Sequence, residues 1–145
     1  MDNCVQMVAE FHEKYGFPRG NLLVADKNLS ALADQLIKNA AEMSQDTDAA
    51  VRAHLIVEEV SELMTALTDG DEVTLLDALV DLLYVTVGTA VTYGLPLAEG
   101  FNEVHRSNMT KSVEQSRPGH PGKGDGYSPP NLSSLLRGRL YDEQL

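Results

Sequence analysis

Basic residues are scarce in this chain: 11 Lys and Arg stand against 22 Asp and Glu, for a formal net charge of −11. That balance excludes nonspecific nucleic-acid binding, which needs cationic surface to neutralise phosphates. A function on phosphate compounds therefore requires recruited metal or a few well-placed cations. No Lys or Arg occurs between residues 53 and 105. The single cysteine, Cys4, excludes an intramolecular disulfide and fits a reducing cytosol. The opening MDNCVQMVAEFHEKYG has no basic stretch followed by an apolar run, so a secretory signal is not expected and a cytoplasmic protein is. Residues 73–93 are apolar, but Asp77 and Asp81 leave only Leu82 to Tyr93 uninterrupted, short of the roughly 20 residues of a membrane span. A soluble, buried helix is expected there, with no membrane partner.

No segment shows a convincing strand alternation, and no internal repeat is evident beyond two carboxylate-bearing helical stretches. The 43% hydrophobic content over 145 residues fits one globular chain. The periodicity is helical. Asp2 can cap a helix to about Tyr15, ended by Gly16, and Asn28 or Ser30 can cap a second over Ala31 to Met43. The polar run Ser44 to Asp48 offers caps for a third, Ala50 to Thr68. The turn TDGD, Thr68 to Asp71, leads into a fourth, Glu72 to Tyr93, ended by Gly94. Pro96 suits the first turn of a fifth helix, Leu97 to Asn108. Beyond Lys111 the composition turns Gly- and Pro-rich, and Arg117 to Pro130 reads as neither helix nor sheet interior, before a short amphipathic piece, Leu132 to Leu140. The expected fold is all-α: a four- to five-helix bundle over 1–111 around a central antiparallel carboxylate-bearing helix pair. Residues 112–145 form a loop and tail that can fold over the site.

The third and fourth helices carry Glu58, Glu59 and Glu62 in EEVSE, and Asp77 and Asp81 in DALVD. Residues equidistant from the turn lie at one level, so Glu58 should face Asp81 and Glu62 should face Asp77. At about 100° per residue, Glu62 lies roughly 40° and Glu59 roughly 100° from Glu58. Helix four is apolar all round, which predicts a central position with both aspartates in or beside the core. Unpaired carboxylates there cost several kcal/mol, and hard oxygen donors of this kind suit Mg²⁺ or Mn²⁺. The solvated-face explanation suffices for a lone EExxE but not for one opposed by aspartates at matching height. A di-iron bundle needs Glu-x-x-His, and none of His12, His54, His105 or His120 has a glutamate three residues before it. The GHPGKGDGY segment lacks the GxxxxGK[ST] pattern and is no P-loop.

On these residues the chain resembles the all-α nucleoside triphosphate pyrophosphohydrolases, the superfamily of MazG and phosphoribosyl-ATP pyrophosphohydrolase. The resemblance rests on EEVSE, on LVDLLYVTVGTAVTYGLPLAEGFNEVHRSNMTK (79–111), on EFHEKYGFP and on KGDGYSPPNL, and is nearest to the small MazG-like, dUTPase-like branch. One position departs: the family's ExxD calls for glutamate where this chain has Ala78, leaving Asp77 as the substitute acid. The resemblance implies Mg²⁺-dependent cleavage of a (d)NTP to the (d)NMP and pyrophosphate. Glu58, Glu59, Glu62, Asp81 and Asp77 would be the metal ligands, and Glu59 also the catalytic group at the attacking water. Arg106, Lys111 and Lys123 would bind phosphate, Asn108 would read base or sugar, Tyr127 would stack, and His12 would wall the pocket. The resemblance also implies a homodimer or homotetramer and leans towards a pyrimidine deoxynucleotide. The competing readings are a phosphoribosyl-ATP pyrophosphohydrolase of histidine synthesis and, because of Ala78, a nucleotide- or metal-binding regulator without catalysis.

Overall fold

The computed structural model describes residues 1–117 and 120–137. Helices α1 (Asp2–Tyr15), α2 (Ser30–Glu42), α3 (Asp48–Asp69), α4 (Glu72–Thr92), α5 (Leu97–Asn108) and the short α6 (Ser133–Leu136) carry the fold, with a 3-10 turn at Lys27–Leu29. The fold is all-α apart from an antiparallel hairpin of β1 (Ser112–Arg117) and β2 (His120–Gly122). That hairpin corrects the strand-free expectation, although a two-stranded hairpin has only edge strands, so Arg117 onward still supplies no sheet interior. Its irregular register pairs Ser112 with Gly122 and Arg117 with His120. Residues 138–140 of the amphipathic piece expected over Leu132–Leu140, and residues 118–119 beside the Gly-rich loop, lie outside the described residues.

Two compact units make up the chain: residues 22–95, and residues 1–21 together with 96–145. The composition break at Lys111 is thus not a boundary between them, and the tail shares a unit with α1 and α5.

In the 22–95 unit, α3 packs against α2 and α4. The hairpin turn forms for local reasons. Gly70 takes the left-handed conformation (φ 72°) and its N–H donates to the Ala66 carbonyl at 2.9 Å. Asp71 then caps α4, accepting from the Val73 N–H at 2.9 Å and the Thr74 N–H at 3.3 Å. These bonds, with the Thr74 hydroxyl, hold the Asp71 carboxyl below its ordinary value. Thr47 caps α3 through the Ala50 N–H at 3.1 Å. The expected caps elsewhere differ. Asp2 is the first residue of α1 rather than its cap, and α2 starts at Ser30 with no side-chain cap while Asp26 caps the preceding 3-10 turn.

The fully buried hydrophobic positions described are all alanine: Ala33, Ala40, Ala66, Ala78 and Ala90, joined by the polar Ser61, Thr68 and Ser107. Small residues thus line the seams between the helices. The large apolar side chains of α4 go the other way: Val73 is 80% exposed, Tyr84 78% and Val91 75%. The expected central, all-round burial of helix four is not met within the chain, and Asp77 and Asp81 are exposed rather than in the core. Helix α3 is the main cover of α4 among the described residues of its unit, and one helix can cover only part of another's circumference.

Arg52, one residue outside the cation-free stretch, spans from α3 to α4. Its guanidinium donates to the Val85 carbonyl at 2.7 Å and to the Thr89 hydroxyl at 3.2 Å, lying over Gly88. Arg52→Met is expected to cost about 1–2 kcal/mol, as loss of a charged donor leaves its acceptors unpaired. Urea unfolding of the two proteins measures it.

Candidate active site

The carboxylates occupy two adjoining helices of one unit. Glu58 and Glu62, on α3, line a cavity of about 470 Å³ with Ile37, Ala40, Ala41, His54, Ser61, Thr65 and Thr74. Glu59 is half-buried beside them and is the acid that senses α4. Desolvation pushes its carboxyl above the ordinary value, reinforced in order by the charges of Glu62, Asp81, Glu58 and Asp77. The Glu58 carboxylate lies 3.8 Å from His54 Nε2 on the cavity wall. Asp77 lies in a shallow groove with Val73, Thr74, Leu76 and Val80. Ala78, where a glutamate was expected, is buried.

Among the described residues, no three or more acidic, His or Cys side chains are gathered closely enough to hold a metal ion. The closed acidic cage expected from the sequence is not formed. The donor set still suits a hard divalent cation. Mg²⁺ is commonly bound through one or two carboxylates, with waters and substrate phosphate completing its shell. Four carboxylate charges bearing on Glu59 supply the attraction.

His54 is the site residue that the sequence reading missed. A backbone carbonyl can only accept, so the Ala40 carbonyl 2.9 Å from His54 Nδ1 requires a proton on Nδ1 and fixes the ring. The available signal was its place four residues before Glu58, one helical turn away.

The other candidate residues belong to the second unit. His12 and Asn108 come together on a cavity of about 280 Å³ with Val8, Phe11, Phe101, Val104 and His105. His12 Nδ1 donates to the Pro18 carbonyl at 3.0 Å, and its ring tilts against Phe17. The Tyr15 hydroxyl reaches the carbonyls of Asn108 at 2.9 Å and Lys111 at 2.8 Å, tying the end of α5 to α1. Lys123 Nζ lies 5.1 Å from the centroid of the Tyr127 ring. Arg106 is occupied by Glu103, with paired contacts of 2.8 Å.

A family model described as phosphoribosyl-ATP pyrophosphohydrolase matches residues 27–108, more than half of the chain. The chain belongs to that family. The matched span runs from the 3-10 turn to the end of α5, so it includes all five carboxylates, Arg106 and Asn108. His12, Lys111, Lys123 and Tyr127 lie outside it. Membership in the phosphoribosyl-ATP pyrophosphohydrolase family supports a pyrophosphohydrolase activity on a nucleotide. No curated protein and no solved structure matched the chain.

Proposed function

We propose that the chain is a Mg²⁺-dependent nucleoside triphosphate pyrophosphohydrolase, cleaving a (d)NTP to the (d)NMP and pyrophosphate in nucleotide-pool housekeeping. The observation that carries this reading is the convergence of charge on Glu59, which four other carboxylates from two helices disturb. Glu58, Glu59, Glu62, Asp81 and Asp77 are assigned to the cation, with Mn²⁺ as a substitute. When bound, the metal supplies neutralisation of phosphate charge and a lowered pKa for water. Glu59 is assigned to accept the proton of the attacking water on a carboxylate oxygen. A raised carboxylate pKa brings such a base closer to neutrality, where general bases work best. Asn108 and His12 suit base or sugar contacts, and Lys111 and Lys123 suit phosphate.

The family model itself favours a second reading, phosphoribosyl-ATP as substrate. A panel of NTPs, dNTPs and phosphoribosyl-ATP, assayed for pyrophosphate release, separates the two. A pyrimidine deoxynucleotide such as dUTP or dCTP is expected to turn over fastest. A preference for phosphoribosyl-ATP would establish the second reading, and no release from any member would leave the binding regulator that Ala78 suggested.

Self-association belongs to the same proposal. Val73, Leu76, Val80, Tyr84, Val87 and Val91 recur at helical spacing along α4, and all are exposed in the chain. Helix α4 is also the one helix described that is long and apolar enough to cross a membrane. Asp77 and Asp81, on the same helix, argue against lipid as the covering medium. A second copy offering the same stripe about a two-fold axis covers it symmetrically, and a homodimer or homotetramer results. Tyr84→Asp with Val91→Asp is expected to convert the assembly to monomers, read as molar mass by light scattering. A wild-type protein that is already monomeric at micromolar concentration contradicts this.

A further inference from the structure

The C-terminal segment is fastened to α5 by an arrangement that the proposed catalysis does not use. Glu103 and Arg106 stand one turn apart on α5, and Arg106 meets the Glu103 carboxylate through Nε and Nη2, both at 2.8 Å. The same guanidinium donates from Nη1 to the Ser128 hydroxyl at 3.0 Å and from Nη2 to the Pro129 carbonyl at 3.1 Å. Glu103 Oε1 in turn accepts the Asn131 backbone N–H at 2.8 Å. One turn further on, Thr110 accepts the Ser128 N–H at 2.8 Å and donates to the Ser107 carbonyl at 2.7 Å. Pro129 and Pro130 have no N–H to offer, so the stretch relies on its few remaining polar groups, and α5 meets several of them. The hydrogen bonds from Arg106, then that from Asn131, pull the Glu103 carboxyl down to about 2. A lowered carboxylate pKa stabilises above the ordinary value and loses its effect only as pH falls from there towards about 2, so the contact persists at neutral pH.

Arg106 is thereby spent. Of its five N–H groups, those on Nε and Nη2 and one on Nη1 already have acceptors. A paired grip on a phosphate needs two free donors. Lys123 is on the segment so held: the Tyr127 N–H closes a turn onto the Gly124 carbonyl at 2.9 Å, and the Lys123 ammonium lies over the Tyr127 ring.

We infer that Glu103 and Arg106 form a latch that fastens residues 128–131 to α5 and thereby positions Lys123, so that Arg106 is a positioning residue and not a phosphate ligand. The fastening stands on the hydrogen bonds alone; its effect on substrate rests on the assignment of Lys123 to phosphate under the proposed function.

Glu103→Gln, Arg106→Met, Arg106→Lys and the Glu103→Gln/Arg106→Met double variant test it by two readouts. Hydrogen exchange at the Ser128 and Asn131 amides is expected to speed up by about tenfold or more in every variant, because each opens the same contact. In pyrophosphate release, KM is expected to rise about 5–10-fold with kcat within about twofold. The double variant should be no worse than either single one, and adding Glu103→Gln to Lys123→Ala should change nothing further. Lysine should not rescue position 106, because it lacks the planar fork. Unchanged exchange would overturn the latch. A KM that rises for Arg106→Met but stays level or falls for Glu103→Gln would make Arg106 a phosphate ligand freed by losing its partner. Faster exchange with no turnover of any nucleotide by the wild type would leave the latch standing and sink the proposed function, and the Lys123 role with it.

Discussion

Glu59→Gln is expected to lower kcat by about 10²–10⁴-fold, the usual weight of a general base, while raising the stability of the metal-free protein. The two effects share a cause. Burial and four neighbouring carboxylates disfavour the charged form of Glu59, so its folded-state pKa exceeds its unfolded value. The folded chain then binds the proton more tightly, and that contribution is fully present below the unfolded value of about 4.5 and lost as pH rises through the raised value. At neutral pH the metal-free wild type bears the repulsion, whereas glutamine removes it. Like-charged neighbours on helices cost a few tenths of a kcal/mol each, and solvent screens an incompletely buried group. A gain of about 1 kcal/mol, or roughly 2–4 °C in Tm, is therefore expected. The difference should narrow as pH falls below about 4.5 and shrink when Mg²⁺ is added, since only the wild type gains its full benefit. Thermal melts across pH with EDTA and with Mg²⁺ measure both. Equal melting of the two proteins at every pH would remove the electrostatic account of the site.

Gly70→Ala is expected to be the most destabilising of the single substitutions considered. The left-handed backbone at φ 72° costs an L-residue about 1–2 kcal/mol. A Cβ there would also stand 2.9 Å from the Ala25 Cβ, 3.0 Å from the Ala25 nitrogen and 3.2 Å from its Cα. Backbone cannot move aside as a long side chain can, so overpacking adds about 1–3 kcal/mol. The sum, about 2–5 kcal/mol, corresponds to a fall in Tm of roughly 5–20 °C. Gly16 is the control: its φ is 68°, but nothing lies within 4 Å of an added Cβ. Gly16→Ala should show only the backbone part, about 1–2 kcal/mol. Equal losses at the two positions would mean that the turn does not press on Ala25. Because Gly70 sets the hairpin that levels α3 with α4, its replacement should also reduce turnover more than its stability loss explains.

What was legible in the sequence was mostly local. Gly16, Gly70, Thr47 and the TDGD turn fix helix ends through backbone conformation and capping, and the structure has helix ends at each. The grouping of the glutamates on α3 followed from helical period. The contact of Glu58 with His54 did not, because it depends on the packing of α2 against α3, where the Ala40 carbonyl holds the His54 ring. The exposure of α4 is not legible for a similar reason. An apolar stripe states that a surface seeks cover, not which chain supplies it, and the small residues Ala66 and Ala78 let α3 take up only one side. The hairpin from Ser112 escaped because SVEQSR offers Val113 as its only apolar residue, so no alternation marks it. Glu103 was within reach: it lies three residues before Arg106, the spacing of a helical ion pair. Its second role, accepting from the Asn131 N–H, depends on a contact between distant parts of the chain that no period encodes.

The measurement that tests the central claim most directly is product analysis of nucleotide turnover by the purified protein, with Mg²⁺, with EDTA, and with Glu59→Gln. Release of pyrophosphate and nucleoside monophosphate that needs Mg²⁺, stops in EDTA and falls by about 10²-fold or more in the variant is the expected result. Release of orthophosphate instead, or pyrophosphate release indifferent to EDTA and to Glu59, would contradict a metal-dependent pyrophosphohydrolase built on the α3 and α4 carboxylates.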